Sequence, residues 1–336
     1  MGSLDIGIDL GTTKIIIHKA GEGVLLHEPA VVAINTRDNS VIAVGEEALR
    51  MLGRTPGYIR AEFPLRDGVI SDHVMTEILL KNCIKRACDS FIMKHRVIIC
   101  VPSEITDVEK RAVVEVVVNA GGRKVFLIDE PIAAAIGAGV DISKPKGNMV
   151  VDIGGGTTDI AVISMCGVVV SESIKFAGDR VDDEIIKYIS SKFKLAIGKK
   201  MAEQVKKEVG NLYKPSHDIK TSVKGRNLLT CYPQLVTVSE CDIHEAIEEF
   251  GEMVVEGIKK VLDQTPPELA SDIIETGILL TGGTSLLKGL DKLIEERTGV
   301  RTMVADDPIG CVSRGTSGAF NYVDILQTGF TSETHI

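Results

Sequence analysis

The chain has 336 residues, 44% of them hydrophobic and 25% charged, a composition that supports a sizeable buried core and excludes a disordered chain or a small disulfide-stapled scaffold. The 38 Lys and Arg against 47 Asp and Glu give a formal net charge of -9, which excludes coating of nucleic acid by overall electrostatics. Aromatics make up 4% and Trp is absent, so platforms for stacking single-stranded bases are few.

At about 150 residues per domain the length predicts two domains. The seven cysteines are odd in number and scattered, without a C-x-x-C pair, and predict a reducing, cytosolic setting with buried thiols. No basic and apolar leader precedes the strand-like run that starts at Leu4, and no apolar stretch approaches ~18 residues.

In chain order, strands are predicted at 4–9, 14–19 and 24–34, a helix at 73–93, a strand at 96–101, a helix at 104–120, a strand at 124–128 and a helix at 130–138. Pro102 ends the apolar run from Arg96 to Val101, and Ser103 and Asp107 offer helix-start chemistry. Gly137, Gly139 and Pro145-Lys146-Gly147 mark a hinge. Beyond it, strands are predicted at 148–153, 159–164, 167–174 and 277–281, and helices at 179–193, 199–210, 241–263, 284–297 and 308–326. Helices alternating with apolar strands predict an α/β class with sheets covered on both faces.

The hairpin signal of the first strands recurs. Asp9-Leu-Gly11-Thr12-Thr13 follows one apolar run, and Asp152-Ile-Gly154-Gly155-Gly156-Thr157-Thr158 follows another about half a chain later. This predicts a duplicated domain. Residues 35–70 and 182–240 fall outside the repeated core and read as one insertion in each half.

A strand ending in Asp-x-Gly followed by Gly and Thr arrays backbone N–H groups and hydroxyls around one point, as a phosphate requires. Asp9 at the strand end would repel phosphate directly, and fits a divalent cation held through water. A third glycine loop, Leu279-Leu280-Thr281-Gly282-Gly283-Thr284-Ser285, is predicted to open a helix and to let backbone approach a flat base. Two facing hairpins and this loop together predict a nucleotide. No G-x-G-x-x-G follows the first strand and no G-x-x-x-x-G-K-[ST] occurs, which disfavours Rossmann and P-loop folds.

The three loops, in this order and spacing, resemble those of the actin, seventy-kilodalton heat-shock chaperone and sugar kinase superfamily of ATPases. Within it the strings Met51-Leu-Gly-Arg-Thr-Pro-Gly57, Asp67-Gly-Val-Ile-Ser-Asp72, Phe126-Leu-Ile-Asp-Glu-Pro131, Ala133-Ala-Ala-Ile-Gly-Ala-Gly139, Pro266-Pro-Glu-Leu-Ala-Ser-Asp272 and Asp306-Asp-Pro308 are similar to the MreB/Mbl class of bacterial actins. The resemblance runs from about Asp5 to Tyr322. It implies the actin-like ATPase fold: two duplicated RNase H-like domains around a nucleotide cleft, each with a small inserted subdomain. On that plan 1–34, 71–140 and about 315–336 form the large subdomain of half I, with 35–70 inserted. Half II has 141–181 and 241–314 as its large subdomain, with 182–240 inserted.

The resemblance also implies roles. Gly11, Thr12, Thr13, Lys14, Gly154, Gly155, Gly156, Thr157, Thr158 and Gly178 would bind the nucleotide phosphates, and Asp9 and Asp152 would hold Mg2+ through water. Asp179 lies beside them. The class usually has Ala-Asn at positions 13 and 14, so Lys14 either adds a charge near the phosphates or points to solvent. Asp159 stands where the class often has Glu. Glu130 matches the catalytic glutamate that orients or deprotonates the attacking water, with Asp152 also catalytic; the alternative is that Glu130 caps the following helix. Glu203, Lys206, Gly282, Gly283 and Thr284 would meet the adenosine.

The expected function is an ATP-dependent bacterial actin, slowly hydrolysing ATP with Mg2+ and joining head to tail into paired protofilaments. These would lie on the inner face of the plasma membrane, scaffold the cell-wall elongation machinery and set rod shape. With four residues before the first strand there is no room for an N-terminal amphipathic helix. The expected membrane contact is therefore Phe91, Ile92 and Met93, flanked by cations suited to anionic lipid; the alternative is that Phe91 and Ile92 complete the apolar face of the 73–93 helix. A non-polymerising chaperone-type ATPase is the alternative function, disfavoured because no peptide-binding domain follows Tyr322. A small-molecule kinase would need a base aimed at a substrate hydroxyl, and no such signature is present.

Overall fold

A computed structural model of the chain describes residues 4–88, 95–323 and, for the backbone, 332–333. Asp5–Leu10 pairs antiparallel with Lys14–Lys19, which pairs antiparallel with Gly23–Pro29. On its other edge Asp5–Leu10 runs parallel to His95–Val101, and that strand runs parallel to Gly122–Asp129. The short Ser332–Glu333 completes a six-stranded sheet.

One face of this sheet, with Ile6, Ile8, Ile15, Ile17, Val97 and Ile99, packs on helices His73–Cys88 and Asp107–Asn119. The opposite face presents Ile98, Cys100, Phe126 and Ile128 to helix Glu130–Gly137 and to Val312 of helix Cys311–Gly318. Burial on both faces explains why the strands are near-continuous apolar runs.

The second sheet repeats the plan. Gly167–Ile174, Thr158–Ser164 and Asn148–Ile153 form the antiparallel part, and Ile278–Thr281 and Thr302–Val304 follow in parallel. Its core takes Val181 and Ile185 from helix Gly178–Phe193, Val205 from Lys199–Val209 and Phe250 from Glu240–Gln264. The same strand order in both halves bears out the duplication.

Two three-stranded sheets stand apart from these. One joins Val41–Val44, Val32–Asn35 and Ile59–Glu62 beside helix Glu46–Met51; the other joins Leu195–Ala196, Lys220–Asn227 and Pro233–Ser239. The strand expected at 24–34 is therefore two strands in two sheets. Pro29 lacks the N–H to continue the first ladder, and Val32–Asn35 starts the second.

Other boundaries also move. Thr106, not Ser103, caps helix Asp107–Asn119, in a reciprocal pairing with Glu109. The helix expected at 284–297 is a 3-10 turn, Gly283–Leu286, followed by helix Leu290–Thr298, because Gly289 turns left-handed between them. That at 308–326 is helix Cys311–Gly318 between short 3-10 turns. Helix Pro267–Thr276 was not foreseen. No helix among the described residues is long and apolar enough to cross a membrane.

Candidate functional site

The two hairpin turns of the duplicated halves face each other. A Cβ placed on Gly156 would lie 2.3 Å from Thr12 Oγ1 and 2.9 Å from the Gly68 nitrogen. One on Gly155 would lie 2.7 Å from the Thr13 methyl group. Only glycine permits this approach at Gly155 and Gly156. The Gly68 N–H donates to Thr12 Oγ1 at 3.2 Å, tying the tight turn after Leu65–Arg66 to the first loop.

The second loop is laced into its own half. The Gly154 carbonyl accepts from the Gly178 N–H and from Thr284 Oγ1, and the Gly155 carbonyl accepts from the Asp179 N–H. Helix Gly178–Phe193 therefore starts at the loop, its N-terminus beside the place expected for phosphate. Thr157 is buried near Gly68, whereas the Thr158 hydroxyl is spent on the Phe176 carbonyl at 2.9 Å. Gly282 has φ +81°, and a Cβ there would lie 2.3 Å from the Ile153 carbonyl. The third loop thus lies backbone to backbone on the strand that ends in the second. Its Thr284 hydroxyl is committed to Gly154, and a Cβ on Gly283 would meet Ile309 only at an ordinary contact distance of 3.9 Å.

Beneath the loops lies a group of acids. Asp152 is 4% exposed and accepts from Thr281 Oγ1 at 2.7 Å; burial pushes its pKa up to about 7, with the negative Asp159 and Asp9 adding to the rise. Burial pushes Asp9 up to about 6, opposed by Cys100, whose thiol lies 3.5 Å from Asp9 Oδ1, and by the charge of Lys14. Asp159, wholly buried, faces Asp152 in register across the hairpin and accepts from the Ser103 N–H at 3.2 Å; burial raises its pKa as well.

Glu130 opens helix Glu130–Gly137. Burial first, then the charges of Asp159, Asp152, Asp9 and Asp129, lift its pKa well above the carboxylate range. Such a carboxylate is a stronger base than a free one. Its capping alternative does not hold: the N-cap is Asp129, and no side-chain cap bond forms there.

Among the described residues no three acidic, Cys or His side chains converge to hold a metal ion directly. The donor set still fits a hydrated divalent cation. Burial first, and for Asp152 the charges of Asp159 and Asp9 as well, lifts these hard oxygen ligands at the ends of two strands above the usual carboxylate range, and a cation with its water shell would favour their charged forms.

On the third side, Lys206 is committed internally. Its ammonium donates to the Gly178 carbonyl at 2.8 Å and pairs with buried Asp182 at 2.9 Å. It thus braces the start of helix Gly178–Phe193, while Glu203, one turn earlier on Lys199–Val209, is exposed and pairs with Lys207. Asp182, Cys100, Thr281 and the Asp67-Gly68 turn are site neighbours that the motifs did not assign. Cys100 carries no signal beyond its place in an apolar strand; Asp182 has its place one turn after Gly178. Phe91, Ile92 and Met93 lie outside the described residues.

Comparison with known proteins finds relatives over nearly the whole chain. The model of the family described as MreB/Mbl protein matches residues 3–328. The cell shape-determining protein Mbl of Bacillus cereus is 48% identical over 327 residues, covering 97% of this chain and 98% of that protein. The cell shape-determining protein MreB of Escherichia coli is 46% identical over 331 residues, covering 97% and 95%. Among solved structures, MreB5 of Spiroplasma citri bound to AMPPNP superposes with a TM-score of 0.90 at 36% identity, covering 96% of this chain and 98% of that one. A MamK double helical filament matches with a TM-score of 0.80 at 22% identity over 96% and 99%, which speaks for the fold alone.

Proposed function

Because the chain belongs to the MreB/Mbl family and has its actin-like fold, we propose that it is an ATP-binding, slowly ATP-hydrolysing bacterial actin that scaffolds cell-wall synthesis and determines rod shape. The observation that carries the reading is the contact of two copies of one phosphate-loop hairpin over a floor of repelling carboxylates. The MreB5 relative has been seen with AMPPNP and with ADP, which supports the same ligand class here.

In this reading Gly11, Thr12, Thr13, Lys14 and Gly154 to Thr158 cradle the phosphates with backbone N–H groups, joined by side-chain donors from Thr12, Thr13, Lys14 and Thr157. Gly178 adds the start of a helix, whose positive end favours anions. Gly282, Gly283 and Thr284 lie against the base, with Glu203 and Lys206 at the ribose side. Asp9 and Asp152 would hold Mg2+ through water, and the ion would supply neutralisation of charge on the phosphates. Glu130 accepts a proton from the attacking water or orients it, and its raised basicity suits that task.

Closing of the two halves on ATP links this chemistry to assembly. Subunits join head to tail through the small inserted sheets, as heterologous contacts that do not close, and protofilaments pair. The filaments lie on the cytoplasmic face of the membrane, with Phe91, Ile92 and Met93 as the proposed contact, and engage the wall-elongation machinery. The chaperone-type alternative is not favoured, since the family match spans the chain.

Sedimentation of the purified protein with and without ATP, and with and without anionic lipid vesicles, tests the reading. ATP-dependent pelleting, with vesicles carried down, is expected; a monomer at every concentration overturns filament formation. Phe91→Ser with Ile92→Ser is expected to abolish vesicle co-sedimentation while sparing polymers, and persistent binding removes the loop from that role.

A further inference from the structure

Lys14 is the first residue of the strand after the Gly11-Thr12-Thr13 turn, and it is exposed while the next four residues are buried. Register sets its direction. Asp9 lies opposite Ile16, Ile16 lies opposite His27, and residues two apart on a strand share a face. Lys14 therefore stands on the sheet face that carries Asp9 and His27. Gly7 lies on that face too, close under Thr316 of helix Cys311–Gly318.

The charge of Lys14 is felt on both walls of the cleft. In half I it opposes the burial-driven rise of Asp9 and, after burial, helps to lower His27. In half II it acts on Glu203, where burial is outweighed by Lys207, Lys206 and Lys14 together. The Lys14 ammonium nonetheless has no hydrogen-bond or ion-pair partner among the described residues. Lys206, the other lysine of the site, is taken up by Asp182 and the Gly178 carbonyl. An uncommitted ammonium beside a floor of carboxylates is suited to offset charge on a ligand that those carboxylates repel.

We propose that Lys14 is a fixed counter-charge for a nucleoside polyphosphate in this cleft, so that the chain keeps nucleotide when divalent cation is scarce. The proposal rests on the nucleotide reading above and deepens it. A bound divalent cation and Lys14 neutralise the same phosphate charge, so removing one makes the other matter more. A hydrated ammonium on a flexible stem also places this part of the binding under salt control.

The test is equilibrium binding of a fluorescent ATP analogue to the purified full chain, in Mg2+ and in chelator, for the unaltered protein, Lys14→Asn and Lys14→Arg. Lys14→Asn is expected to weaken binding about tenfold in chelator and about threefold or less in Mg2+. Lys14→Arg should stay within about twofold of the unaltered protein in both, because it keeps the charge. Equal losses in the two conditions, or no loss, overturn the counter-charge. An unaltered protein that binds no analogue in either condition overturns the nucleotide reading itself, so the two failures are told apart.

Discussion

The two phosphate-loop hairpins share a plan and differ in what surrounds them. In the first, Asp9 faces Ile16 across the strands; in the second, Asp152 faces another acid, Asp159. The first loop accepts from the Gly68 N–H at Thr12 and from the Ala30 N–H at the Thr13 carbonyl. The second is tied to the helix that starts at Gly178 and, through Thr284, to the third glycine loop. Duplication thus supplied two turns of one plan, and divergence made the second the more heavily tied of the two. Glu130 hangs from the half that carries the first loop, yet the first two charges acting on it, Asp159 and Asp152, belong to the other.

The largest effect is expected where the two halves meet in chemistry. Glu130→Gln should lower the rate of phosphate release by about 10²–10⁴-fold while leaving ATP binding in place. Unchanged release in a single-turnover assay would remove Glu130 from its role.

Next comes the contact of the loops themselves. Gly156→Ala places a methyl group against Thr12 and the Gly68 backbone and is expected to cost about 1–3 kcal/mol by overpacking. Gly11→Ala meets the Lys14 carbonyl at 3.2 Å and should cost less than Gly156→Ala. Equal shifts in urea unfolding midpoints would contradict the asymmetry between the loops.

Asp159→Asn sharpens the comparison through pH. Removing the largest charge that raises Glu130 lowers its pKa, so the base ionises at lower pH and the acid limb of the hydrolysis profile should move down. A limb that stays in place, or moves up, breaks the proposed coupling between the halves.

The smallest effect concerns the cation-free protein. Asp9 and Asp152 titrate near about 6 and about 7, above their unfolded value of 3.8, so the folded chain retains protons that the unfolded chain has lost. Their contribution to stability is full below the unfolded value and is lost as pH rises through 6 to 7. Thermal melts between pH 5 and 8 should show this decline, and Mg2+ with nucleotide should flatten it. A decline of the same slope with the ligand present would contradict the assignment of the acid floor to a cation.

What the sequence made legible follows the same asymmetry. The hairpins could be read because glycine spacing and apolar runs are local, and the resemblance turned Glu130 and the third loop into assignments. Cys100 stayed hidden because a thiol in an apolar strand looks like core, and its contact with Asp9 comes from parallel pairing far along the chain. The Lys206–Asp182 pair joins two helices, so neither residue signals the other, and the bond from Lys206 to the Gly178 carbonyl could not be read from the adenosine role that the resemblance implies. The breaks at Pro29 and Gly289 lie inside runs whose pattern continues, and tertiary packing decided where each element ended.

The central claim is that one nucleotide is held by both halves at once. Calorimetric titration of ATP with Mg2+ into the unaltered chain, Thr12→Val and Gly156→Ala tests it most directly. One site per chain, weakened by the change in either loop, is the predicted result. Affinity that survives intact when one of the two loops is altered would contradict the clamp.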